Sequence, residues 1–201
     1  MDETKRAWIE SERVRRGDAI RGAANAFLDG ASTFTLEIGC GHGRWLSTYA
    51  ESHRSELCLG IDLITKRIEM GSQKKENRAI ENVCFLKAEC SEFLDAIEGL
   101  EGVKIKRCFM LFPDPWPKKR HHKKRMVQTP FLGKLSSLVE VDGWFCFRTD
   151  HVDYFHWTEA LVDVHENWER IDAESHWPHE NSSFFQDLLP EYRSLIARNL
   201  A

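Results

Sequence analysis

An open, doubly wound α/β sheet, mostly parallel, seven-stranded and Rossmann-like, is the fold class that this 201-residue sequence predicts. Three observations predict it. Short apolar runs alternate with amphipathic segments along most of the chain, the pattern of strands separated by crossover helices. The first run empties into Gly39-Cys40-Gly41-His42-Gly43, a glycine-rich turn that opens a helix. Later runs end on the acids Asp62, Glu89, Asp114 and Asp150. In a parallel sheet such ends share one rim, where ligands bind at the point of reversal in strand order.

The elements follow in order. Residues 1–30, dense in charge, are expected to form a helical lead-in. Strands are expected at Thr33 to Ile38, Glu56 to Ile61, Val83 to Lys87, Lys106 to Phe112 and Gly143 to Arg148, each short, apolar and rich in branched or aromatic side chains. Helices are expected over about His42 to Glu51, Ile64 to Arg78, Ser91 to Glu98, Phe131 to Val139 and Val152 to Glu166. The fourth of these has a legible start. Thr129 can cap, Pro130 suits the first helical position, and Phe131, Leu132, Leu135, Leu138 and Val139 share a face. Trp168 to Ile171 and Tyr192 to Ala197 supply two last strands. With no repeat, linker or low-complexity tract, one domain over 1–201 is the economical organisation.

Composition narrows the function classes. An apolar content of 42% suits a domain able to bury a full core. No segment approaches the ~20 apolar residues of a membrane span, and the start MDETKRAWIE is charged where a signal peptide is apolar. A cytoplasmic protein with no membrane contact is expected. Of the six cysteines, Cys58, Cys84, Cys108 and Cys146 lie in apolar, strand-like runs and none forms a CxxC pair, so they are expected as reduced core residues. The nine histidines lack metal spacing, His176-Trp177-Pro178-His179 reads as loop, and no metal site is expected.

Charge points elsewhere. The chain carries −4 overall, yet Lys118 to Arg125 holds six Lys/Arg and no acid; without them 22 basic side chains face 32 acidic ones, or −10. The positive potential is local, placed directly behind Phe112-Pro113-Asp114-Pro115-Trp116, so one strand end delivers a carboxylate, an indole and a cationic patch together. That is equipment for chemistry on a nucleic-acid base. At the glycine turn, positive φ and backbone N–H groups at a helix start suit a ligand. The dinucleotide fingerprint fails, because Arg44 stands at its third glycine. Asp62 either caps the helix that follows it or accepts from both hydroxyls of a ribose. Glu89 either meets an adenine amino group or complements the dipole of the helix it begins, and Trp116 either stacks on a base or serves as a core or lid residue.

The spacing Glu37, Gly39, Gly41, Gly43 resembles motif I of the class I S-adenosyl-L-methionine-dependent methyltransferases. With Phe112 to Trp116, the run Lys118 to Arg125 and Val127-Gln128, the sequence closely resembles the bacterial tRNA (guanine-N7)-methyltransferase family over about residues 30–160. The resemblance implies the class I fold, S-adenosyl-L-methionine as cofactor, tRNA as partner, and methyl transfer to N7 of guanine at position 46. It implies cofactor contacts at Glu37, the three glycines, Asp62, Glu89 and Asp114, with Asp114 also catalytic. Substrate contacts are implied at Lys118 and Asp150; the local charge itself marks Lys119, Arg120, Lys123, Lys124 and Arg125, on an expected exposed loop, as phosphate contacts. The family's Thr-x-Tyr/Phe-Glu signature is altered here to Ser183-Phe184-Phe185-Gln186, leaving Ser183 and Gln186 as its nearest substrate contacts. Glu89 stands where the family more often has Asp. The rival readings are an RNA exocyclic-amine methyltransferase, disfavoured by the order Pro-Asp-Pro-Trp, an NAD(P)-dependent dehydrogenase, disfavoured by Arg44, and an inactive RNA-binding relative. Either a monomer or a homodimer fits.

Overall fold

The computed structural model describes residues 2–180 and 191–201. Its elements are α1 (Glu3–Leu28), β1 (Thr33–Ile38), α2 (Arg44–Ser52), β2 (Cys58–Asp62), α3 (Thr65–Asn77), β3 (Val83–Lys87), α4 (Cys90–Glu98), β4 (Lys104–Leu111), a 3-10 turn (Lys119–Lys124), α5 (Thr129–Leu138), β5 (Val139–Thr149), α6 (Val152–Asp163), β6 (Trp168–Ile171), α7 (Ala173–His176) and β7 (Arg193–Asn199). The strands pair in the order β3-β2-β1-β4-β5-β7-β6. β7 runs antiparallel to β5 and β6, and the other pairs are parallel. The fold is the expected doubly wound α/β sheet of seven strands. The chain winds outward from β1 to β3, then returns to place β4 on the other side of β1, so β1 and β4 diverge at a switch point.

Both faces of the sheet are covered. Along β4 and β5 successive side chains enter opposite cores: Cys108, Met110, Phe145 and Phe147 pack on one side with Phe93, Leu132 and Tyr154. Phe109, Leu111 and Cys146 pack on the other with Trp45, Tyr49 and Trp177. Burial on both faces is the reason these strands read as unbroken apolar runs. All six cysteines are free, and all but the partly covered Cys84 are buried. The tract read as loop, His176 to His179, carries Trp177 and His179 into the second core against Phe109, Trp45 and Tyr49.

Four expectations are corrected. α5 begins at Thr129 with Gln128 as its N-cap and no side-chain cap bond, so Thr129 is helical and does not cap. β2 begins at Cys58 because the Glu56 side chain is drawn into an ionic cluster, accepting from Lys106 Nζ (2.7 Å), Arg107 Nη1 (2.9 Å) and Tyr49 Oη (2.9 Å). Burial alone would raise its carboxyl, but the hydrogen bonds from Lys106 and Arg107 outweigh it and hold the group down to about 2. β5 begins at Val139, which leaves α5 to pair with Ile105; Trp144 then pairs with Arg107, so residues 140–143 bulge out. The basic run is a 3-10 turn instead of a plain loop.

Candidate active site

The glycine turn leaves β1 with Gly39, Gly41 and Gly43 at φ of 74°, 54° and 64°, the left-handed region that glycine enters without steric cost. The N–H groups of Gly39 and Cys40 donate to the Ile61 carbonyl (2.8 and 2.9 Å), tying the turn to β2. Gly41 N–H donates to Asp62 Oδ2 at 3.1 Å. Gly43 serves packing: a Cβ there would lie 2.5 Å from the Phe85 ring. It is not among the residues lining the cavity, so the expected cofactor contact at Gly43 is corrected.

The cavity opens at the switch point and measures about 690 Å³. Glu37, Gly39, Gly41, Asp62, Glu89 and Asp114 all line it, gathered from the ends of four strands. Glu37 is 4% exposed and its Oε2 is buried without a partner. Burial pushes its carboxyl up to about 8, against a hydrogen bond from the Leu46 backbone and with help from the nearby Asp62 charge. Asp62, 6% exposed, accepts from Ile64 N–H (2.8 Å) through Oδ1 and from Gly41 N–H and Arg67 Nη1 (3.3 Å) through Oδ2. Glu89 caps α4 through Oε2, accepting from Ser91 N–H (2.8 Å) and Glu92 N–H (3.1 Å). The cap role weighed against a ligand role is therefore real, and the same side chain also lines the cavity.

The opposite wall comes from the turn after β4. Phe112 adopts φ 51° and its N–H donates to the Arg148 carbonyl (2.7 Å), holding the end of β4 to β5. Asp114 is exposed at the rim. Trp116 adopts φ 43°, and Lys124 Nζ lies 4.6 Å from its ring centroid, with His121 at its edge. Phe112, Trp116, Lys124 and Met126 line this side.

The remaining predicted residues divide. Lys118, Lys119, Arg120 and Lys123 are exposed on or beside the 3-10 turn, and Asp150 is exposed just beyond β5; none of them lines the cavity. Arg125 is corrected outright. It is 2% exposed, donates from Nε to the Pro115 carbonyl (2.9 Å) and from Nη2 to Asp153, and cannot meet a phosphate in this position. Ser183 and Gln186 lie outside the described residues. Sequence reasoning missed Arg67, Lys74, Trp45, Met70 and Met126, which all line the cavity. Arg67 and Lys74 sit half-buried on α3, behind Asp62, where a helical cation gives no signal of its own in the sequence. Among the described residues no cluster of His, Cys, Asp and Glu suits a metal ion, and no helix is long and apolar enough to cross a membrane.

A family model described as "Putative methyltransferase" matches residues 31–193. A tRNA (guanine-N(7)-)-methyltransferase of Caulobacter sp. strain K31 is 31% identical over 140 residues, covering 70% of this chain and 61% of the relative. One from Corynebacterium jeikeium is 34% identical over 155 residues, covering 75% and 57%. The chain thus spans about six-tenths of the length of these relatives. A solved 30S ribosomal A1408 methyltransferase from an uncultured bacterium superposes with TM-score 0.57 at 15% identity, over 90% of this chain and 94% of that one, a likeness of fold alone. The family match takes in both walls of the cavity and most of the sheet, and the chain belongs to this methyltransferase family, as its resemblance to the tRNA (guanine-N7)-methyltransferases implied.

Proposed function

We propose that this chain, acting as a single domain, transfers the methyl group of S-adenosyl-L-methionine to N7 of a guanine in tRNA, at position 46, in the cytoplasm. The observation that carries the reading is one cavity with two unlike walls. The glycine turn, Glu37, Asp62 and Glu89 face Asp114, Trp116 and Lys124 across it, with a cationic turn at its mouth. The first wall fits the cofactor: the orphaned Glu37 Oε2 is an acceptor for its ammonium group, and Asp62 has lone pairs left for the ribose hydroxyls. Glu89 is left to meet the adenine amino group.

When bound, the cofactor supplies an electrophilic methyl on a sulfonium. Guanine N7 already bears a lone pair, so the protein needs no base to uncover it and no thiol or imidazole nucleophile. Its work is to hold N7 in line with that methyl in a partly desolvated cleft. Asp114 at the rim accepts from guanine N1–H and the N2 amino group, orienting the ring and offsetting the positive charge that grows on it. Lys118 and Asp150 flank the base, while Lys119, Arg120 and Lys123 hold phosphates and set register.

The test incubates the protein with labelled S-adenosyl-L-methionine and unmodified tRNA, then treats the product with borohydride and aniline. Scission at position 46 is expected. Label without scission overturns N7 in favour of an exocyclic amine, and no label with intact tRNA binding points to an inactive RNA-binding relative.

A further inference from the structure

Arg125 ends the basic run, and its surroundings differ from those of every other cation in it. The guanidinium stands against the rings of Tyr154 (5.0 Å) and Trp157 (5.2 Å), both on α6. Nε donates to the Pro115 carbonyl at 2.9 Å, Nη2 donates to Asp153, and Nη1 is buried without a partner. Asp153 also faces His122 Nε2 at 3.7 Å. The chain just beyond is bound to the same helix: Val127 N–H donates to Tyr154 Oη (3.2 Å), and Trp157 Nε1 donates to the Val127 carbonyl (2.9 Å). Gln128 Nε2 donates to the His122 and Arg125 carbonyls (2.9 and 3.2 Å), closing the turn from behind.

The carbonyl that Arg125 holds belongs to the peptide between Pro115 and Trp116. One residue before it is Asp114, and one after it is Trp116 at φ 43°, a conformation a bulky side chain keeps only when neighbours over-determine it. The Pro115–Arg125 bond closes a loop on which Trp116, Lys118 and the remaining cations all lie.

We propose that Arg125 is a positioning residue for methyl transfer, aimed by Asp153, which through the Pro115 carbonyl sets Asp114 and Trp116 at the cavity rim and makes the base-contacting and phosphate-contacting halves of the loop one preorganised body. A planar fork with several fixed donors suits this task, and an ammonium does not reproduce it. The proposal rests on the reading of tRNA methylation given above. Asp114 and Trp116 need a fixed place only if a base is presented to the cofactor there.

Arg125→Lys and Asp153→Asn test it. With saturating tRNA and S-adenosyl-L-methionine, single-turnover methyl transfer is expected to fall tenfold or more in Arg125→Lys and less in Asp153→Asn. Cofactor affinity and the salt dependence of tRNA binding should stay as in the parent. A phosphate contact gives the opposite split, weaker tRNA binding with a salt slope lower by about one contact and normal turnover at saturation, and that result overturns the proposal. A role in stability alone lowers the unfolding midpoint but leaves turnover of the folded fraction unchanged, and overturns it equally. Limited trypsin digestion read by mass spectrometry is independent of activity. Cleavage between Lys118 and Lys124 is expected to accelerate at least tenfold in both variants, and an unchanged rate removes the brace. If the parent transfers no methyl to tRNA while cleavage still accelerates, the proposed function fails and the brace stands.

Discussion

Lowering the pH from 7 to 6 is expected to weaken S-adenosyl-L-methionine binding about tenfold, through Glu37. In the free protein its carboxyl is held at about 8, against an ordinary 4.5, because it is buried. At pH 6.5 it is therefore mostly protonated. If the cofactor's ammonium sits against the orphaned Oε2, the bound state favours the carboxylate, and binding expels that proton. Each pH unit below 8 then costs about 1.4 kcal/mol of binding. The gain ends near pH 8, where Glu37 ionises unaided and a free α-amino group, with an ordinary pKa of ~7.7–8.0, starts to lose its own proton. The same shift acts on folding with its own sign. A folded value above the unfolded one leaves stability untouched below about 4.5 and erodes it as pH rises toward 8, so cofactor should stabilise the protein more at pH 7.5 than at pH 6. Calorimetry at pH 6.5 in buffers of different ionisation enthalpy measures the count directly. Release of about one proton is expected in the parent and none in Glu37→Gln. Zero release with affinity flat between pH 6 and 7 would refute the reasoning.

Asp114→Asn keeps the shape at the rim and removes the charge, so methyl transfer at saturation should drop about a hundredfold or more; near-normal turnover takes Asp114 out of the chemistry. Replacing Lys119, Arg120 and Lys123 by Gln should weaken tRNA binding in filter assays and reduce its log-salt slope by two to three contacts at most, with cofactor affinity intact. An unchanged slope means that this exposed turn does not touch phosphate. Gly43→Ala forces a methyl to 2.5 Å from Phe85 at φ 64°, whereas Gly41→Ala at φ 54° meets nothing within 4 Å. Urea denaturation should therefore show a loss of roughly 2–4 kcal/mol for Gly43→Ala and only about 1–2 for Gly41→Ala. Equal losses would contradict the packing role given to Gly43.

Local pattern alone controls part of this fold. β1, β3 and β6 match their predicted bounds because each is a short run closed by turn-forming or polar residues. The parallel winding of β1 to β4 places their carboxyl ends on one rim, and so the gathering of Glu37, Asp62, Glu89 and Asp114 followed from four strand ends alone. Tertiary structure decided everything that depends on what a side chain meets. Arg125 and Lys124 are adjacent cations with no local difference between them. Yet α6 brings Asp153, Tyr154 and Trp157 against the first, while the second lies over Trp116 at the cavity. Gly41 and Gly43 share a motif and a backbone conformation, and only the position of Phe85 on β3 makes one a cavity wall and the other a packing contact. Glu56 looked like the start of a strand until Lys106 and Arg107, 50 or more residues away in sequence, drew it into an ion cluster. For Arg125, Gly43 and Glu56 the deciding partner is distant along the chain, and the energy that selects between roles is that of burial and pairing, which no local window contains.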